Sequence, residues 1–529
     1  MNIKLKSYWI YFVSILLLGA VIRFYQLGSI PHGITWDEAA IGYNGHAILT
    51  TRRDEWLERL PISFRSFGDY KAPLAIYLNG FSTFVFGMNP FGVRFPFAAA
   101  SIFAIAGWML FLKELKLFSK KDDFLILISG LILALNPWHI HYSRVGFESG
   151  LSLALAVWGW WLLVRSLHSQ KLRFLFLQSF MSAVLLVASL YIYHSAKIVV
   201  PIMTVVIFLF ATKPTKQSFL RLLPISIFSL LLAVPLIRDS LYGQGATRAG
   251  VLLFSQGYLL TELIGAMIKN LGAQLSPAFL VLGKNISSLR DGGGSWGFVL
   301  PTTYILAALA IPLIVWKKLK NKKILIFASL FVLIGSAPAF MSTLAPHSNR
   351  GLFAVLGIIL LATVGLKIVL ELAESSRWKK YFLAETILGT LFLLHLFFFA
   401  TFWKNYTTVF ASQSASDFQD GYIEAFSIAH QYELGVDGKP KVDKILFSSE
   451  YGQPYIYALF VRKTNPIWYR GGSLNTYEFT DKINIGDLTR KNTLVVASLS
   501  QDLPESEADY LVYGSDGTIR FKIYLTKGE

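Results

Sequence analysis

Apolar runs close to 20 residues long recur from the N-terminus of this 529-residue chain to about residue 402. Each is long enough to cross about 30 Å of hydrocarbon. Inside a bilayer every backbone N–H and C=O must find its partner within the protein, so each crossing run has to be a helix. The clear runs are 8–27, 95–112, 124–141, 149–165, 174–193, 197–211, 219–237, 298–316, 324–341, 351–370 and 382–402. Only 15% of the residues are charged, against about 25% in soluble domains. The first run, Tyr8–Leu27, follows the basic segment MNIKLK. It is too long for the hydrophobic region of a signal peptide and lacks a small-residue cleavage site, so it reads as the first transmembrane helix.

The net charge is +17. No basic stripe or nucleic-acid motif accompanies it, which excludes nucleic acid as a partner. The Lys and Arg residues instead gather in short loops: KELKLFSKKDD, RSLHSQKLR, TKPTKQ, KKLKNKK and ESSRWKK. One further apolar stretch, Pro73–Met88, is short and ambiguous. If it crossed, all these loops would face away from MNIKLK. If it is re-entrant or interfacial on the outer face, nearly every basic loop lies on the cytoplasmic side, as the positive-inside rule requires. The expectation is an α-helical multi-pass membrane protein of a bacterial cell membrane, with eleven spans, a cytoplasmic N-terminus and an outer C-terminus. There are no cysteines, so disulfides and thiolate metal sites are excluded.

Three outer segments follow: 28–94, 239–297, and the chain beyond about Asn405. The second contains RDGGGSWG, a turn-rich stretch. In the third, the periodicity changes to short runs that read as strands, KILFSS, YIYALFV and TLVVASL. It ends in YLVYGSDGTIRFKIYL, which reads as a β-hairpin. The expected division is a membrane domain over 1–403 and a small extracytoplasmic α/β domain over 404–529.

The ionisable residues of the outer face are candidates for chemistry. Asp37 and Glu38, in PHGITWDEAAIGYNGHA, suit the first turn of a helix, where the dipole favours acids. Beside Trp36 and small residues they also suit an active site. Lys71, in FGDYKAPLAIYL with Asp69 and Tyr70, either snorkels at an apolar boundary or serves a site, and Arg94 has the same two readings. Arg144 and Glu148, in NPWHIHYSRVGFESG, would share a helix face and form a local ion pair. His139 and His141 read as interfacial residues. Tyr193, His194 and Lys197 in YIYHSAK, and His347 and Arg350 in APHSNR, fall on the same side. Ionisable residues clustered at one membrane face mark a functional site. Lys71, Arg94, Arg144, Lys197 and Arg350 suit a phosphate held at headgroup depth, and a nearby carboxylate suits general-base work.

The motifs WDEAAIGY at 36–43, DYKAPL at 69–74, FGVRFP at 91–96 and SRVGFE at 143–148 resemble the GT-C glycosyltransferases. Within them the chain is most similar to protein O-mannosyltransferases and the aminoarabinose transferases of lipid A. The resemblance is strongest over roughly the first 170 residues. It implies a GT-C-like fold, with Asp37 as base for an acceptor hydroxyl and Glu38 as its partner in the acidic pair. It implies Lys71 facing a lipid-linked phosphate, an important role for Arg94, and Glu148 where relatives carry a second acid, often Asp. Metal dependence varies within the superfamily, so Mg or Mn is a possible cofactor that the carboxylates alone do not establish.

The function implied is transfer of a sugar from a polyprenyl-phosphate-linked donor, drawn from the membrane lipid, to an acceptor hydroxyl on the extracytoplasmic side, with inversion. The alternative is a transporter or flippase for a lipid-linked or anionic solute. That class would show paired half-helices or internal symmetry, and the sequence shows neither.

Overall fold

A computed structural model of the chain describes residues 5–119, 122–245, 247–317, 322–375 and 383–528. Parts of the basic loops, at 120–121, 318–321 and 376–380, lie outside the described residues. Among the described residues eight helices are long and apolar enough to cross a membrane, and a ninth span is formed if one bent pair is counted as a unit. Those helices, with the shorter apolar helices Ala196–Ala211 and Pro301–Pro312, account for all eleven expected runs. Pro73–Phe86 is a separate helix of 14 residues. At 1.5 Å per residue it spans about 21 Å, against about 30 Å of hydrocarbon.

Contacts divide the chain into two compact units, Met1–Tyr25 with Phe97–Tyr406, and Gln26–Pro96 with Thr407–Glu529. This line differs from the expected boundary at 403/404, which left the segment 28–94 with the membrane domain. The reason is apolar packing: Ala39, Ala40 and Tyr43 share one core with Phe447, Tyr457 and Phe460.

The first unit is a helical bundle. Asp123–Ala134 and Pro137–Arg144 meet at 53°. Pro137 has no N–H and pushes Asn136 out of helical geometry, and the Asn136 side chain caps the new helix by accepting from the His139 backbone N–H at 2.9 Å. The break frees the Ala134 carbonyl, which accepts from buried Arg23 at 3.0 Å. Neighbouring helices are joined by small polar contacts suited to a hydrocarbon surround, such as Ser152 with Ser189 at 2.8 Å and Trp108 with Ser129 at 2.9 Å. The segment 239–297 also holds a helix, Leu260–Leu275, that the turn-rich reading did not include.

In the second unit, helix Trp36–Thr51 packs on Pro73–Phe86 through Gly45 and Gly80. A Cβ at Gly80 would lie 2.4 Å from the Gly45 carbonyl oxygen, so the two backbones touch there. Between them runs a hairpin of β1 (Phe64–Ser66) and β2 (Asp69–Lys71). The C-terminal part carries β3 (Lys444–Ser448), β4 (Tyr477–Thr480), β5 (Thr493–Ser498), β6 (Tyr510–Tyr513) and β7 (Ile519–Thr526) in the order β4-β3-β5-β7-β6. β4, β3 and β5 are parallel, and β7 and β6 are antiparallel. Alternate residues serve opposite faces: Ile445 and Phe447 face one core, Leu446 the other. The hairpin at the end stands as expected. YIYALFV does not: it lies in helix Pro454–Arg462, with Pro454 in the first turn. Its residues Ile456–Phe460 are all buried, so burial shows no period, and its aromatic content reads as a strand.

Candidate functional site

The second unit builds a charged pair from two consecutive acids. Thr35 caps helix Trp36–Thr51 and forms a capping box: its hydroxyl accepts from the Glu38 N–H at 3.1 Å, and its own N–H donates to Glu38 Oε2 at 3.0 Å. Glu38 also receives Arg94 Nε on Oε1 at 2.8 Å. Glu38 is 1% exposed and Arg94 is fully buried. Arg94 donates further to the carbonyls of Pro31 and Gly33 at 2.8 Å each, to that of Leu27 at 3.4 Å, and to Glu38 Oε2 at 3.3 Å. All five N–H groups of its guanidinium are thereby engaged. This corrects two expectations. Arg94 has no donor left for a phosphate, and Glu38 is a buried cap; together they fix the path of residues 27–38.

Asp37 stands differently. Its Oδ1 lies 2.5 Å from Lys71 Nζ, and its side chain is 18% accessible against 8% for Lys71. Lys71 is delivered by local geometry. Phe67 and Gly68, both at positive φ (50° and 79°), form the two-residue turn between β1 and β2. Pro73 opens the next helix and holds Ala72 extended, which ends β2 at Lys71. The sequence reading missed this hairpin; Gly68 was its one signal. Asp69 and Tyr70 are half-buried in β2, with the Tyr70 N–H donating to Asp69 Oδ1 at 2.7 Å.

Sequence reasoning also missed a buried carboxyl beyond this helix. Glu55 is fully buried; Asn44 Nδ2 reaches its Oε1 at 3.3 Å, and burial pushes its pKa up to about 7. Asp54 is raised too, again chiefly by burial.

In the first unit the candidates sort into two sets. Arg144 is fully buried and caps the first helix, Leu5–Phe24, by donating to the carbonyls of Ile22 at 2.9 Å, Arg23 at 3.0 Å and Tyr25 at 2.7 Å. Those three carbonyls engage both terminal nitrogens of Arg144. Arg144 ends helix Pro137–Arg144 and Glu148 is the residue before helix Ser149–His168, so they do not share one helix face. His139 and His141 are both buried within the protein, His139 against Arg23 at 2.8 Å and His141 against the Arg290 carbonyl at 2.9 Å.

The second set meets. Tyr193, His194, Lys197 and Arg350 line one cavity of about 300 Å³. Lys197 Nζ donates to the Gly245 carbonyl at 3.0 Å, and Arg350 donates to Ser342 Oγ. Both cations remain half-buried rather than sealed. His347 is not among the lining residues; its backbone N–H donates to Gln274 at 2.8 Å. Among the described residues no three His, Asp or Glu side chains converge as a metal site. At Asp37 the Lys71 ammonium already occupies Oδ1.

No protein-family model matches the sequence, and no curated protein matches it. Solved structures match the fold. The archaeal oligosaccharyltransferase AglB from Archaeoglobus fulgidus, in complex with an inhibitory peptide and a dolichol-phosphate, aligns over 98% of this chain and 74% of its own at 11% identity, with a TM-score of 0.51. The same enzyme tethered to an acceptor peptide containing the NVT sequon aligns over the same shares at 12% identity and 0.51. ArnT from Cupriavidus metallidurans in the apo state aligns over 98% of this chain and 97% of its own at 11% identity and 0.53. The chain therefore has the GT-C membrane fold, as its motifs led one to expect.

Proposed function

We propose that this protein is a membrane glycosyltransferase that moves a sugar from a polyprenyl-phosphate-linked donor to an acceptor hydroxyl, inverting the anomeric carbon. The observation that carries the reading is the Asp37–Lys71 pair, an accessible carboxylate held by a nearly buried ammonium at 2.5 Å. It occurs on a fold shared with AglB, whose complex contains dolichol-phosphate, and with ArnT. In this reading Asp37 takes the proton of the acceptor hydroxyl as its oxygen attacks the anomeric carbon. The bond from that carbon to the donor phosphate breaks, and the phosphate leaves with the electron pair. Lys71 holds the Asp37 carboxylate in place. Within the first unit, Lys197 and Arg350 line a cavity whose two cations suit a phosphate group. Tyr193 and His194 offer hydrogen bonds beside them. The one-sided Lys/Arg loops support a cytoplasmic N-terminus and an outer site; a C-terminal reporter that read cytoplasmic would reverse this orientation.

The test is transfer from a polyprenyl-phosphate sugar by purified wild type and Asp37→Asn, with donor binding measured in parallel. General-base catalysis contributes about 10²–10⁴-fold, and turnover should fall by that factor while donor affinity holds. Near-normal turnover in a folded Asp37→Asn protein would remove Asp37 from the chemistry.

A further inference from the structure

The second unit carries a cluster of cations that the transfer chemistry does not use. Arg52, Arg53, Arg59 and Arg65 lie on the segment after helix Trp36–Thr51; Lys463 and Arg470 lie more than 390 residues later. All six are exposed, and among the described residues none forms an ion pair. The two segments are locked together. Arg470 Nε donates to the Glu55 carbonyl at 2.8 Å, and its guanidinium lies 3.9 Å from the centre of the Trp56 ring. The Arg65 guanidinium lies 4.1 Å from the same ring, whose indole N–H is held by the Arg65 carbonyl at 3.2 Å. Arg53 is braced by the Leu57 carbonyl at 2.7 Å. Of the nearby carboxylates, Asp54 and Glu55 are buried and only Glu58 is exposed.

A run of charge is ordinarily just a solvated face. This one is built. Two guanidiniums over one indole lie at most about 8 Å apart, and like charges so close repel. A guanidinium carries its N–H groups in the fork that matches phosphate and carboxylate oxygens. Beside them Trp468 is 69% exposed and Ile467 55%, a flat apolar surface against which the C–H face of a sugar ring can pack.

We propose that this basic and aromatic surface binds an anionic saccharide chain, bearing phosphate or carboxylate groups, as the acceptor of the transfer reaction. The inference rests on the transferase reading and names the acceptor class for it.

The test uses the full chain in phosphatidylcholine nanodiscs and three labelled probes: polygalacturonate, inorganic polyphosphate and neutral dextran. Both anionic polymers should bind and dextran should not. Binding should weaken at least tenfold between 50 and 300 mM salt, on the order expected when several ion contacts release counterions. Arg65→Gln with Arg470→Gln should weaken both by at least tenfold. Arg52→Gln with Arg59→Gln, which removes no contact of the fold, should weaken both several-fold. Trp468→Ala should weaken polygalacturonate and spare polyphosphate, which has no sugar ring. Wild-type binding by both double variants would overturn the proposal. So would failure of the soluble polymers to bind while vesicles rich in phosphatidylglycerol do, which would make the surface a lipid-docking one. Because binding is read without donor, the two readings fail separately. Intact polymer binding in a protein without transferase activity would support the surface and sink the enzyme. Transfer to neutral acceptors at wild-type rate in the double variants would do the reverse.

Discussion

Replacing Arg94 tests whether burial has been read correctly as a structural role. Arg94→Met removes one member of an ion pair whose two side chains are 0% and 1% accessible, 2.8 Å apart. Glu38 would be left charged in the interior, and breaking a buried pair in this way costs about 3–5 kcal/mol. The carbonyls of Pro31 and Gly33 lose their partner as well, at about 1–3 kcal/mol for each that water does not reach. Against a typical domain stability of about 5–15 kcal/mol, the second unit should open locally or fail to fold. Glu38→Gln keeps the capping box, because Gln serves at that position, and leaves the cation alone. The double variant Arg94→Met/Glu38→Gln has no buried charge. It should therefore be less destabilised than the two single changes together, with a coupling of about 2–3 kcal/mol. Hydrogen exchange of the amides in helix Trp36–Thr51, in nanodiscs, reads the local opening free energy. A phosphate ligand would behave otherwise: Arg94→Met would protect like wild type and only weaken donor binding. That result, or additive single changes, would refute the assignment.

Two further perturbations address other groups. Lys197→Ala and Arg350→Ala should each weaken binding of a polyprenyl phosphate by tenfold to a hundredfold, since a charge-assisted contact is worth about 1.5–3 kcal/mol; unchanged binding in both would take the phosphate out of that cavity. Glu55 holds its proton up to about pH 7 in the fold against 4.5 in its ordinary state. Its contribution is therefore present below pH 4.5 and lost as pH rises from 4.5 to 7, about 3 kcal/mol in all. Thermal unfolding of the second unit should show that loss, and Glu55→Gln should flatten it; an equal slope in the variant would assign the effect elsewhere.

The parts of the fold that were legible are those governed by one period or one composition. Eleven apolar runs announced the helices, and the DG turn between alternating strands announced the last hairpin. YIYALFV misled because aromatic residues suit a strand and a short, fully buried apolar run shows no period. The β1–β2 hairpin was hidden because Phe67 occupies a turn position where Asn or Asp is usual, so only Gly68 hinted at it. Among the candidate residues, sequence identified the ionisable groups and could not rank them. Arg94, Arg144 and Arg350 look alike as letters. What separates them is whether carbonyls close around the guanidinium, and those carbonyls come from residues 22–33, whose path is not written in any local pattern.

The acidic pair shows why adjacent like residues take different roles. Successive residues on a helix are turned by about 100°, so two neighbours cannot face the same surroundings. Thr35 fixes where the helix starts, which makes Glu38 the third helical residue, the one whose side chain folds back to the cap. Once Glu38 is committed inward to Thr35 and Arg94, Asp37 is rotated away from them and meets Lys71 at the end of β2. The position of Lys71 is set in turn by Pro73, which stops the strand and starts the next helix. The motif read as an acidic pair followed by Lys-x-Pro is therefore one geometric device. The cap and the buried arginine fix the helix start, and the proline fixes the lysine. The single side chain left partly accessible among them is the carboxylate of Asp37.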